Sequence, residues 1–112
     1  DTILRLLVIG AEHSDLALEL ARRFPCLDVT VTDSEPALVQ DAEAIWANEA
    51  LPRVVWRPPG MLGDLAPGSF DMALAIDALH RLAISRDALA LVHDLLRPAA
   101  CLLVAELAPG LF

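Results

Sequence analysis

Gly10 and Asp33 are the first residues of the chain whose types and spacing suit a chemical task. The glycine closes the apolar run "LLVI", and the acid follows a second run, "VTVT", 23 residues later. A carboxylate at the end of a second strand can accept hydrogen bonds from both hydroxyls of a ribose, while a glycine turn after the first strand faces the rest of a nucleotide. The plainer role for Asp33 is to precede the N-cap of the next helix, where acids are favoured. The turn itself, "GAEHSD", places Glu12 and Ser14 where nucleotide-binding turns carry further glycines.

Other reactive side chains offer less. His13 lies within the altered turn, and His93 falls in an amphipathic helical pattern, which suits a surface or boundary position. Trp46 and Trp56 read as core and loop-packing residues. Cys26 and Cys101 stand at separate strand entrances among apolar residues, which suggests two free core thiols rather than a disulfide or metal pair, and a reducing, cytoplasmic setting.

Positioning these residues requires a sheet. The chain has 112 residues, enough for one domain with a real core, and 56% of them are apolar. Leu4 to Ile9 reads as a buried strand, followed by a helix from Ser14 to Phe24 with Ser14 as N-cap and Leu16, Leu20 and Phe24 or their neighbours on one face. Val29 to Thr32 is a second strand, and a helix starts at Ser34, with Pro36 in its first turn, and runs to about Ala47. Arg53 to Arg57 is a short third strand, ahead of the turn-rich "PPGMLGDLAPGS". Met72 to Ile76 is a fourth strand, Ser85 caps a helix running to about Leu96, and Cys101 to Ala105 is a fifth strand. Alternating strands and helices, with the strands almost continuously apolar, argue for a parallel sheet covered on both faces. Right-handed crossovers then give a doubly wound α/β fold with its ligand site at the carboxyl ends of the strands.

The charge excludes one class of partner. The formal net charge is -8, all eight cations are arginine, and no basic cluster exceeds Arg22 and Arg23, so nucleic acid is not an expected ligand. No apolar run approaches the length of a membrane-spanning helix. A start without methionine and an apolar ending, "CLLVAELAPGLF", read as a piece of a longer chain, truncated after its fifth strand.

The segments "LRLLVIGAEHSDLALELARRF", "VTVTDSEPALVQDAE", "GSFDMALAIDALHRL" and "LLRPAACLLVAE" together resemble the class I S-adenosylmethionine-dependent methyltransferases, most of all the C-methyltransferase domains of polyketide synthases. The resemblance covers nearly the whole chain and implies a Rossmann-like sheet of strand order 3-2-1-4-5. It implies S-adenosylmethionine as cofactor, with Gly10, Glu12 and Asp33 at cofactor-binding positions and no metal. His80 and Glu106 take the positions of a catalytic pair after strands four and five. The histidine would remove a proton from the carbon between two carbonyls of a β-ketoacyl thioester, the glutamate would orient it, and the enolate would attack the cofactor's methyl group. Neighbouring domains and an acyl carrier protein are the implied partners.

The chain departs from the family pattern at several positions. The acid and alternating glycines of the first motif fall at Val8, Gly10, Glu12 and Ser14, and only Gly10 matches. No carboxylate stands at Pro59 or Gly60, where the family contacts the adenine amino group, and Asp64 would serve only in a rearranged loop. Ala99 and Ala100 replace paired glycines. Losing a turn glycine costs about 1 to 2 kcal/mol. Glu12 beside the cofactor's carboxylate, at about 4 Å and an effective dielectric near 20, adds roughly 4 kcal/mol of repulsion, on the order of a thousandfold in affinity.

Two functions therefore stand side by side: an active C-methyltransferase, and a methyltransferase-like domain retained inside a multienzyme with weak or lost activity. A nicotinamide-binding Rossmann domain is a weaker alternative, because Asp15 stands where its third glycine belongs. A phosphorelay receiver would need a lysine, and the chain has none. An open edge at the fifth strand is expected to promote self-association.

Overall fold

The computed structural model describes residues 3–11, 14–33, 35–47, 53–57, 64–76 and 86–105. Five strands form one sheet in the order β3-β2-β1-β4-β5, every neighbouring pair parallel. The strands are β1 (Leu4–Ile9), β2 (Leu27–Thr32), β3 (Val54–Trp56), β4 (Phe70–Ile76) and β5 (Leu96–Ala105). The helices are α1 (Ser14–Arg23), α2 (Pro36–Ile45) and α3 (Arg86–Leu95). The doubly wound fold and its strand order match the sequence-based expectation.

The central strand explains why the pattern was readable. β1 is buried on both faces, so its apolar residues run without alternation. Leu6 and Val8 meet Val29 and Val31 of β2 under Ala17 of α1 and Val39 and Ala42 of α2. Leu7 and Ile9 point the other way, into a second core with Phe70, Ala73 and Ala75, covered by Val92 and Leu95 of α3. Two cores on opposite faces of one sheet fix the register of β1 twice over.

Several local expectations need correction. Helix α1 buries Ser14, Ala17 and Leu18, whereas Leu16 and Phe24 are 42% and 50% exposed. With Leu20 they wall an apolar groove completed by Leu4, Leu6, Met72, Leu74 and Leu103. The two cysteines are free but exposed rather than in the core: Cys26 precedes β2, and Cys101 lies midway along the edge strand β5 rather than at its entrance. Glu35, not Ser34, is the N-cap residue of α2, and its side chain makes no capping bond; Pro36 then occupies the first turn. Ser34 and Ser85 lie outside the described residues.

Strand β5 begins five residues earlier than its apolar run. Leu96 pairs with Phe70 and Cys101 with Met72, so Arg97 to Ala100 bulge against the single residue Asp71. Ala99 sits in this bulge at φ 65°, a left-handed conformation that costs a residue with a Cβ. Asp71 holds the bulge: it accepts the Arg5 backbone N–H at 2.8 Å and Arg97 Nε at 3.0 Å. These contacts, first the Arg5 N–H bond and then the Arg97 guanidinium, outweigh desolvation and hold the Asp71 carboxyl below the usual carboxylate range.

Candidate functional site at the carboxyl ends of β1 and β2

In a sheet of this order the chain leaves β1 for one side and β4 for the other, which opens a crevice at the carboxyl ends of those strands. Gly10 is the residue that turns out of β1. Its φ of 124° is inaccessible to residues with a Cβ at ordinary cost, so the one retained glycine stands where the backbone requires it. Its N–H donates to the Thr32 carbonyl at 2.9 Å, extending the β1–β2 ladder to the lip of the crevice.

The structure brings Gly10 and Asp33 together through the intervening turn. Asp33 is 1% exposed. Its Oδ2 accepts the Ala11 N–H at 2.9 Å and its Oδ1 accepts the Glu35 N–H at 3.2 Å. A single carboxylate thus ties the turn after β1 to the turn after β2. Ser14 completes the first turn from the other side, donating from Oγ to the Ala11 carbonyl at 2.8 Å while only 3% exposed. That bond runs backward from the first residue of α1, so Ser14 closes the turn rather than capping the helix in the usual sense.

A cavity of about 560 Å³ opens beside this turn, between α1 and α2. Ala11, Ser14, Asp15, Leu38, Asp41 and Trp46 are among the residues lining it. The two carboxylates make its field unfavourable to a further anionic group. Trp46 is half-buried at this wall, whereas Trp56 packs against the first core, in keeping with a packing role. Sequence reasoning missed one neighbour. Thr32 is 2% exposed, and its Oγ1 has no hydrogen-bond partner, directly before Asp33. The only trace in the sequence is a threonine at the carboxyl end of a buried strand.

The remaining predicted site residues are not brought into this picture. Glu12, His13, His80 and Glu106 lie outside the described residues, as do Pro59 and Gly60. Asp64 is described and exposed. His93 is on the surface, its side chain 89% exposed beside Asp94. Among the described residues no group of three or more His, Cys, Asp or Glu could hold a metal ion, and no helix is long and apolar enough to cross a membrane.

An α/β sheet of this order, with a glycine turn after β1 linked to an acid after β2, defines the Rossmann-like class of nucleotide-binding folds. The particular family follows from comparison. The family model for the methyltransferase domain matches residues 7–102, and the chain belongs to that family. No curated protein gives a match to the sequence.

Solved structures agree on the fold. The C-methyltransferase domain of the citrinin polyketide synthase superposes with a TM-score of 0.71 at 22% identity, over 91% of this chain and 28% of that one. The [4+2]-cyclase SpnF gives 0.76 at 23% identity, over 98% and 42%. Phosphoethanolamine N-methyltransferase 2 of Haemonchus contortus, in complex with S-adenosyl-L-methionine, gives 0.75 at 22% identity, over 93% and 24%. The chain therefore spans less than half the length of each of these structures.

The described residues meet the demands of that cofactor only in part. Gly10 supplies the turn, and Asp33 occupies the position of a ribose acceptor. The Asp33 carboxylate, however, is buried and already accepts two backbone N–H bonds, so a ribose would have to share it with those donors.

Proposed function

We propose that this chain is the core of a methyltransferase-like domain of polyketide-synthase type whose S-adenosylmethionine site is degenerate, with weak or lost cofactor binding. The observation that carries this reading is the buried Asp33 carboxylate, both of whose oxygens hold backbone N–H groups of the adjoining turns. Glu12 and Ser14 in place of turn glycines, the acidic walls of the neighbouring cavity and the alanines at positions 99 and 100 support it. In this reading the domain is a cytoplasmic packing or docking element whose partners are neighbouring domains of a multienzyme and an acyl carrier protein.

A second reading keeps the domain active as a C-methyltransferase on carrier-bound β-ketoacyl thioesters, with His80 and Glu106 as its catalytic pair. Its support is the likeness to the citrinin synthase domain. The [4+2]-cyclase among the similar structures is a reminder that this fold hosts more than one chemistry.

Isothermal titration of S-adenosylmethionine separates the readings, using the chain and a Glu12→Gly, Ser14→Gly variant whose folding is checked by circular dichroism. The degenerate-site reading expects no micromolar binding by the chain and a gain in the variant. Micromolar binding by the unaltered chain overturns it and makes His80→Ala and Glu106→Gln the next variants. Self-association belongs to the same proposal: Leu102 and Leu103 of β5 are 38% and 54% exposed at the edge of the described sheet. Light scattering should show a dimer that Leu103→Lys dissociates. A monomer across a wide concentration range removes that element.

A further inference from the structure

We infer that the face of β1, β2 and β3 opposite α1 and α2 carries a phosphate-binding cavity formed by Arg5, Arg53 and Arg57. The register assembles it. Arg5 pairs with Asp28 across β1 and β2. Arg53 lies beside Asp28 on the other side, its carbonyl accepting the Val29 N–H at 2.8 Å and its Nη1 donating to Asp28 Oδ1 at 3.2 Å. Arg57 follows Arg53 by four positions along an extended strand, an even offset that returns it to the same face. Its backbone N–H donates to the Val31 carbonyl at 2.9 Å, which holds the end of β3 in line with the sheet.

The three arginines line a partly open space of about 180 Å³, together with Thr30, Val55 and Leu65. Among the described residues Asp28 is the one carboxylate in its lining, and its partner there is Arg53. Arg5 lays its guanidinium over the Phe70 ring, 5.4 Å from the centroid. The nearby Asp71 does not line the cavity and is shared between the Arg5 backbone N–H and the Arg97 side chain. Asp28 pairs with Arg53 and the Arg5 charge acts on Asp71, so Arg57 supplies the positive charge left over in the lining, on a chain whose net charge is -8.

The shape of the charge selects the ligand. A carboxylate is satisfied by one guanidinium fork, whereas a phosphate offers several acceptor oxygens and up to two negative charges to planar donors approaching from different strands. Thr30, only 8% exposed, adds a hydroxyl-bearing residue to the lining. A volume of about 180 Å³ suits a phosphate group with a few attached atoms, not a helix or an extended protein surface. The ligand class is therefore a small organic phosphate. The site lies on the flat of the sheet, apart from the Gly10 turn, and does not depend on whether S-adenosylmethionine binds.

The test uses inorganic phosphate and pyrophosphate on the uniformly nitrogen-15-labelled chain. Amide resonances of Thr30 and Val55 and the Arg57 Nε–H are followed by NMR against sodium chloride of matched ionic strength. A saturable shift confined to these groups is expected, with affinity falling about tenfold in Arg57→Gln, the effect of losing one charge-assisted contact. Arg53→Gln serves as the second variant, and the spectrum of each variant reports its folding. Shifts that chloride reproduces, that rise linearly without saturation, or that persist unchanged in both folded variants overturn the assignment.

Discussion

Replacing Asp33 by asparagine tests whether this acid organises the two turns. The carboxylate is 1% exposed and accepts two backbone N–H bonds, at 2.9 Å from Ala11 and 3.2 Å from Glu35. Asparagine has nearly the same shape but only one acceptor oxygen, so its NH₂ group must face one of those donors. A hydrogen bond to a charged group contributes about 1.5 to 3 kcal/mol, and a buried donor left without a partner costs a similar amount. Asp33→Asn should therefore lower stability by about 2 kcal/mol, and Tm by roughly 10 °C for a domain of this size. Urea denaturation followed by circular dichroism reads this directly, with an unchanged m-value showing that the folded state is equally compact. A loss below about 0.5 kcal/mol, the range of ordinary surface substitutions, would refute the reasoning. The carboxylate would then be available for another task, ribose binding foremost.

Three further outcomes follow from single residues. Ala99→Gly should raise stability by about 0.5 to 1 kcal/mol in the same denaturation assay, since relief of the left-handed strain at φ 65° exceeds the entropy that glycine adds to the unfolded chain. Thr32→Val should raise the urea midpoint, because it removes a buried hydroxyl without a partner at nearly constant volume. Asp71 titrates below the usual carboxylate range when folded, so its contribution is present above the unfolded value of about 3.9 and fades as pH falls through the folded value. The stability difference between the chain and Asp71→Asn should accordingly narrow below about pH 4.

The legible parts of the fold were those with a repeated physical cause. β1 was readable from Leu4 to Ile9 because Leu6 to Ile9 are buried on both faces and only Arg5, near its exposed start, interrupts the apolar run. β5 was not, since Pro98 and Ala99 in its bulge look like a loop, while the Leu96–Phe70 pair before them is a tertiary fact. α1 carries two apolar stripes, and nothing local tells which one meets the sheet; Ala17 and Leu18 do, and Leu16 and Phe24 open into the groove. At the candidate site, the placement of Gly10 and Asp33 followed from strand order. The inward turn of the carboxylate depended on two backbone N–H groups that sequence does not position. The arginine cavity was invisible for the same reason, its members being joined by register alone.

The seam between β1 and β4 has a kinetic consequence. β1 meets β2 across a connection that begins with Leu4 opposite Leu27, but it meets β4 through pairs such as Leu6 with Met72, nearly three times farther apart along the chain. Loop-closure entropy makes the second encounter costlier by about 1 kcal/mol. The unit β1-α1-β2 should assemble first and the seam close late, so Val31→Ala should slow refolding in stopped-flow measurements while Leu74→Ala mainly speeds unfolding. The crevice where a nucleotide would sit is then the last part of the sheet to form, and a ligand held there would act chiefly by keeping the two halves from parting.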